Sequence, residues 1–111
     1  MKKLLLLSFF FIASSMAHGL ALRLTWQDPY NPQGTTYNVY RLTGLCPINE
    51  PTNTDGFTKL NMTKITVKNY TDRTVVKTNN YCYIVTAVSP KGIQSAPSKD
   101  VVITKVELLE E

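Results

Sequence analysis

The sequence predicts an all-β fold, a sandwich of about six to seven short antiparallel strands, and three observations carry that expectation. The segment YCYIVTAV, residues 81–88, alternates strictly. Tyr81, Tyr83, Val85 and Ala87 fall on one face and Cys82, Ile84, Thr86 and Val88 on the other, which is the period of a strand that buries a face in a sheet. Clusters of Gly, Pro, Asn and Ser punctuate the chain, among them Ser89-Pro90-Lys91-Gly92 directly after that strand. No stretch outside the amino-terminal segment sustains a 3.6-residue apolar period, so no helix is expected there.

The chain of 111 residues opens with MKKLLLLSFFFIASSMAHG. Lys2 and Lys3, an apolar run over residues 4–13 and small residues after it form the layout of a secretory signal peptide. The run is too short to cross roughly 30 Å of hydrocarbon as a helix of about 20 residues. Ser15 and Ala17 allow cleavage before His18, and Gly19 and Ala21 offer a second site before Leu22; the first is favoured, with an uncleaved anchor as the alternative. No cysteine follows the run to take a lipid. Residues 1–17 are therefore expected to leave on export through the Sec pathway. The product would be secreted, periplasmic or displayed at the cell surface, with no membrane segment left.

The elements follow in order. LALRLTWQ, residues 20–27, alternates Leu22, Leu24 and Trp26 inward against Ala21, Arg23 and Thr25, a strand. Residues 28–34, DPYNPQG, carry two prolines, an Asn and a Gly where neither helix nor strand continues. Residues 35–42, TTYNVYRL, alternate again, with Tyr37 and Val39 on the core face and Asn38 and Tyr40 on the other. Residues 43–56 are rich in Pro, Asn, Thr and Gly, a long loop that holds Cys46. FTKLN, residues 57–61, is a short strand or edge segment. Residues 63–72, TKITVKNYTD, form a further strand candidate with Ile65 and Tyr70 inward. After the turn at Pro90 and Gly92, residues 98–106 close the fold, and VELLEE reads as a solvated or loosely docked acidic tail over residues 106–111.

Charge and cysteine content bound the function. The formal net charge is +4 from twelve basic and eight acidic residues. Loss of residues 1–17 removes two basic and no acidic residues, which leaves +2 with the cations scattered, no basis for nucleic-acid binding. Cys46 and Cys82 both remain, and an even count in a small exported domain predicts a disulfide. The chain-entropy argument gives such a bridge about 4 kcal/mol. Two thiols and His18 cannot make a four-ligand metal site, and the absence of a Cys-x-x-Cys pair argues against redox chemistry.

These elements bring a family into view. Leu-x-Leu-x-Trp at 22–26, Tyr-Asn-Val-Tyr-Arg at 37–41, Phe-Thr-Lys-Leu-Asn at 57–61, Tyr-Thr-Asp at 70–72, residues 81–88 and Gly-Ile-Gln-Ser-Ala-Pro-Ser at 92–98 stand in the order and spacing of a fibronectin type III domain. Residues 18–105 resemble that domain in its bacterial exported variety. The resemblance implies an immunoglobulin-like sandwich with strands B, C, C', E, F and G, Trp26 buried on B, and Tyr81 at the E–F corner with its hydroxyl on backbone upstream. It also implies that strands C and F are neighbours, so Cys46 and Cys82 meet at one pole with Cys82 facing outward. The family's strand A is missing, short or replaced by another segment; an uncovered edge of strand B is expected to be tolerated in isolation, with dimerisation through B, β-strand addition by a partner or, least favoured, folding back of residues 101–111 as the ways to cover it.

Catalytic groups do not assemble on this reading. His18 is the single histidine, and Asp28, Asp55, Asp72 and Asp100 all lie beside turns, where Asp caps backbone N–H groups. The sequons Asn61-Met62-Thr63 and Asn69-Tyr70-Thr71 are read as coincidental in a bacterial protein. No catalytic residue, metal or cofactor is expected. The expected function is a non-catalytic recognition or adhesion module for a protein or carbohydrate surface; the alternative is a structural or assembly subunit of a surface fibre or phage particle. A recognition site would use loops B–C, C'–E and F–G, which the resemblance implies converge at one pole, and which supply Tyr30, Asn31 and Gln33, then Met62, then Lys91, Ile93 and Gln94.

Overall fold

The computed structural model describes residues 7–10, 20–29, 31–49, 51–97 and 101–110. Seven strands run along it: β1 (Leu7–Phe10), β2 (Leu20–Gln27), β3 (Thr36–Thr43), β4 (Thr58–Lys59), β5 (Asn69–Asp72), β6 (Asn80–Val88) and β7 (Val102–Glu110). All pairings are antiparallel. One sheet has the order β1-β6-β3-β4 and the other β5-β2-β7, and their inner faces enclose the main core. The all-β sandwich expected from the alternation is what forms, with β2 on the predicted residues.

Alternation decides what each strand buries. Leu22, Leu24 and Trp26 of β2 meet Tyr37 and Val39 of β3 and Tyr81, Tyr83, Val85 and Ala87 of β6, with Val101 and Ile103. The Trp26 and Tyr37 rings pack edge to face at 5.5 Å. On the outer face of β3 and β6, Tyr40 and Ile84 form a second, smaller cluster covered by Phe57. Cys82 belongs to that outer face, and its bond to Cys46, with Cα atoms 5.0 Å apart, ties the loop after β3 to the start of β6. The bridge lies outside the inter-sheet core, as the alternation of β6 requires. At the β5–β6 corner Val76 N–H donates to the Tyr81 hydroxyl at 2.7 Å, the corner contact expected of that tyrosine.

Several expectations are corrected. Residues 106–110 are not a tail: β7 runs nine residues, and Val106 and Leu108 pack against the core. The reason is a bulge. Thr25 pairs with Lys105 but Trp26 with Ile103, so Thr104 is extra, and its hydroxyl closes on Thr25 O at 3.1 Å. The bulge shifts the alternation by one residue, so Ile103 and Val106 both point inward although their spacing breaks a period of two.

The edge of β2 is not open either. β5 lies on one side of β2 and β7 on the other, so the place expected to be missing a strand is filled by the last strand of the chain. Residues 102–106, within the segment read as strand G, thus pair with β2. Residues 93–95 begin a pairing beside β6, since Ser89 N–H donates to Ile93 O and Ser95 N–H to Ala87 O. Two residues later Pro97 falls where an N–H would have to donate to Val85 O, and proline has none. The next described residues, 101–110, belong with the second sheet.

Residues 63–68 do not form the strand expected over 63–72; β5 keeps only residues 69–72. Before it the chain runs along the edge of β3 without a regular ladder, and a buried Asn61 substitutes for one. Its Oδ1 accepts Val39 N–H at 2.9 Å, and its Nδ2 donates to Asn38 Oδ1 and to Thr63 O, each at 3.0 Å. Asn61 is thereby a structural plug, which agrees with reading its sequon as coincidental. The amino-terminal residues 7–10, expected to leave as part of a signal, form β1 on the outer edge of β6.

Candidate functional site

The sandwich brings three connections to one pole: residues 28–35 between β2 and β3, residues 60–68 between β4 and β5, and the segment after Val88. The third is shaped by its turn. Gly92 N–H donates to Ser89 O at 2.8 Å, and Gly92 sits at φ +89°, a conformation glycine adopts without strain. Gly34 in the first connection has φ +91°, and a Cβ there would come within 3.2 Å of Pro90, so its lack of a side chain lets the two loops touch.

Where those two loops meet there is an open cleft of about 370 Å³, lined by Asn31, Ala87, Ser89, Ile93, Gln94, Ser95 and Ala96. Of the seven residues proposed from sequence, Asn31, Ile93 and Gln94 are brought together here. Asn31 Nδ2 is buried and has no hydrogen-bond partner among the described residues. Ile93 is 70% exposed at the rim. Gln94 plays a different part: its Oε1 accepts from Asn38 Nδ2, Tyr40 Oη and Thr86 Oγ1 at 2.8–2.9 Å, so it clips the returning chain onto the outer face of β3 and β6. Its acceptor is spent on the fold. Met62 is 96% exposed on the neighbouring connection; Gln33 and Lys91 are exposed, and neither they nor Met62 line the cleft. Tyr30 lies outside the described residues.

Beneath this pole the carboxylate of Asp28 is buried beside the Tyr37 hydroxyl. Burial, reinforced by the charge and hydrogen bond of Asp28, pushes the Tyr37 phenol up to about 12. The opposite pole carries a polar network between the sheets that the sequence did not disclose. Asp72 of β5 is buried; its Oδ2 accepts from Tyr83 Oη at 2.7 Å and from Arg41 Nη1 at 2.9 Å, and its Oδ1 accepts from Thr74 N–H at 2.9 Å. Arg41 also donates to Thr74 Oγ1 and lies 4.9 Å above the Tyr81 ring. Burial alone would raise the Asp72 carboxyl, but the hydrogen bonds from Thr74, Tyr83 and Arg41 together outweigh it and hold the group below its ordinary value. Burial first, and then the hydrogen bond to Asp72 and its charge, drive the Tyr83 phenol upward. Pair spacing along β3 and β6 could have placed Arg41 opposite Tyr83, but its meeting with Asp72 needs the second sheet.

Compared with known protein families, with curated proteins and with solved structures, the chain finds no match. Fold, disulfide and pole therefore stand on the chain's own geometry, and the Cys46–Cys82 bridge is compatible with an oxidising, exported environment.

Proposed function

We propose that this chain is a non-catalytic, exported recognition module, built on a fibronectin type III-like sandwich, that binds a protein or glycan surface at the pole containing Asn31 and Ile93. The observation that carries this reading is the Asn31 donor, without a partner among the described residues, in the lining of a cleft whose rim exposes Ile93. A buried donor without a protein partner is uncommon in a native fold, and an amide beside an apolar rim suits a carbonyl or hydroxyl acceptor with an apolar neighbour. A preformed pole on a disulfide-braced scaffold keeps the ordering cost of binding low.

The experiment is a capture screen of the exported protein against native extracellular material and a glycan panel, repeated with Asn31→Ala and Ile93→Asp. Loss of capture by at least tenfold, about 1.4 kcal/mol, with little change in melting temperature supports the site. Capture that survives both substitutions removes this pole from consideration.

A further inference from the structure

The outer edge of β6 is the one strand edge in the two sheets that the chain covers with its leader. β1 pairs there in register Leu7↔Tyr83 to Phe10↔Asn80. The hydrogen bonds fix which backbone groups point that way: Asn80 O accepts Gly44 N–H on the β3 side, whereas Ala87 O and Ser89 N–H face the returning residues 93–95. Since alternate residues of a strand present N–H and C=O to the same side, Tyr81, Tyr83 and Val85 all present theirs to the outer edge. Pro97 prevents the chain's own carboxy-terminal segment from extending the ladder to Val85. If residues 1–17 are removed on export, β1 goes with them, and these groups lose their partner.

We propose that this vacated edge pairs with a second copy of the same chain, β6 against β6 in antiparallel register about Tyr83, to form a dimer of the exported protein; the proposal rests on the export reading above. The edge is self-complementary. With Tyr83 opposite the partner's Tyr83, Tyr81 falls opposite the partner's Val85 and the reverse, so every outward N–H meets an outward C=O on both copies. The strand also lacks the usual defences of an exposed edge, because residues 80–88 contain no Lys, Arg, Asp, Glu or Pro. Pairing neutral strands brings no like charges together, and the structure already shows this edge seated by an antiparallel strand. In the unprocessed chain β1 caps the edge, so dimerisation would wait for processing.

The test uses the full chain expressed in an export-competent host and recovered from the exported fraction. Intact mass reports whether the leader has gone. Light scattering reports the oligomeric state, and amide exchange is followed residue by residue. The expected result is a leaderless dimer in which the amides of Tyr81, Tyr83 and Val85 exchange at least about tenfold more slowly than after dilution to monomer. The amides of Cys82, Ile84 and Thr86, which face β3, should be protected in both. Val85→Pro removes an outward N–H without touching the β3 ladder and should give a monomer. Should that variant fail to fold, an excess of a peptide comprising residues 1–10 should convert the wild-type dimer to a peptide-bound monomer. A retained leader overturns the export reading and this proposal with it. A leaderless monomer at millimolar concentration, or a dimer with unprotected Tyr81, Tyr83 and Val85, overturns this proposal alone, as does an edge that takes the peptide but never its own copy.

Discussion

Asp72 connects both sheets through one side chain, accepting from Tyr83 and Arg41 of the first sheet while sitting on β5 of the second. Its carboxyl is held below its ordinary value, so the ionised form stabilises the fold at neutral pH, and that contribution is lost as pH falls through the lowered value. The wild-type urea midpoint should therefore drop below about pH 4, the ordinary range of the group. Asp72→Asn should cost roughly 3 kcal/mol at neutral pH by leaving Arg41 without its buried counter-charge, and should flatten the acid limb of the profile. An equally steep acid limb in the variant would assign the pH dependence elsewhere. Asn61 offers a second residue-scale case. Asn61→Ala strands the buried Val39 N–H and should cost about 1–3 kcal/mol in chemical denaturation, with the main core unaltered.

At the scale of elements, β7 decides the shape of the second sheet. Truncation after Lys105 removes the partners of Leu20 to Leu24 together with Val106 and Leu108, and should lower stability by about 3 kcal/mol or more. A truncated chain as stable as the parent would mean that these residues only lie on the surface. The disulfide acts on a different pair of elements, anchoring the loop after β3 to β6. The exported protein should weigh about two hydrogens less than its reduced form, and reduction should cost a few kcal/mol. Free thiols in exported material would overturn the bridge.

For the whole molecule, two of the buried phenols predict behaviour in alkali. Tyr37 and Tyr83 both have raised values, Tyr37 near 12, so the neutral phenols stabilise the fold fully below the unfolded value of about 10. That stability is lost as pH rises from about 10 towards 12. Phenolate absorbance of these two tyrosines should appear together with loss of the β-sheet circular dichroism. Ionisation of both well before the sheet signal changes would place them nearer solvent than the structure does.

The sequence alone determined the strands whose period of two is unbroken: β2, β3 and β6, their inward faces, the loops that meet at one pole, and the bridge between Cys46 and Cys82. The strands are local features, because alternation and turn chemistry act over a few residues; the bridge followed from there being two cysteines and the pole from the sandwich the resemblance implied. It also made Asn31 and Ile93 candidates, but it could not separate them from Gln94, whose acceptor the fold itself consumes. Tertiary structure alone decided where the last strand goes. The bulge at Thr104 hid the inward face of β7, and the outer edge of β6 at residues 80–83 is taken by β1 while the last strand pairs with β2. Strand order depends on which edges compete for a segment, and neighbouring residues carry no record of that competition.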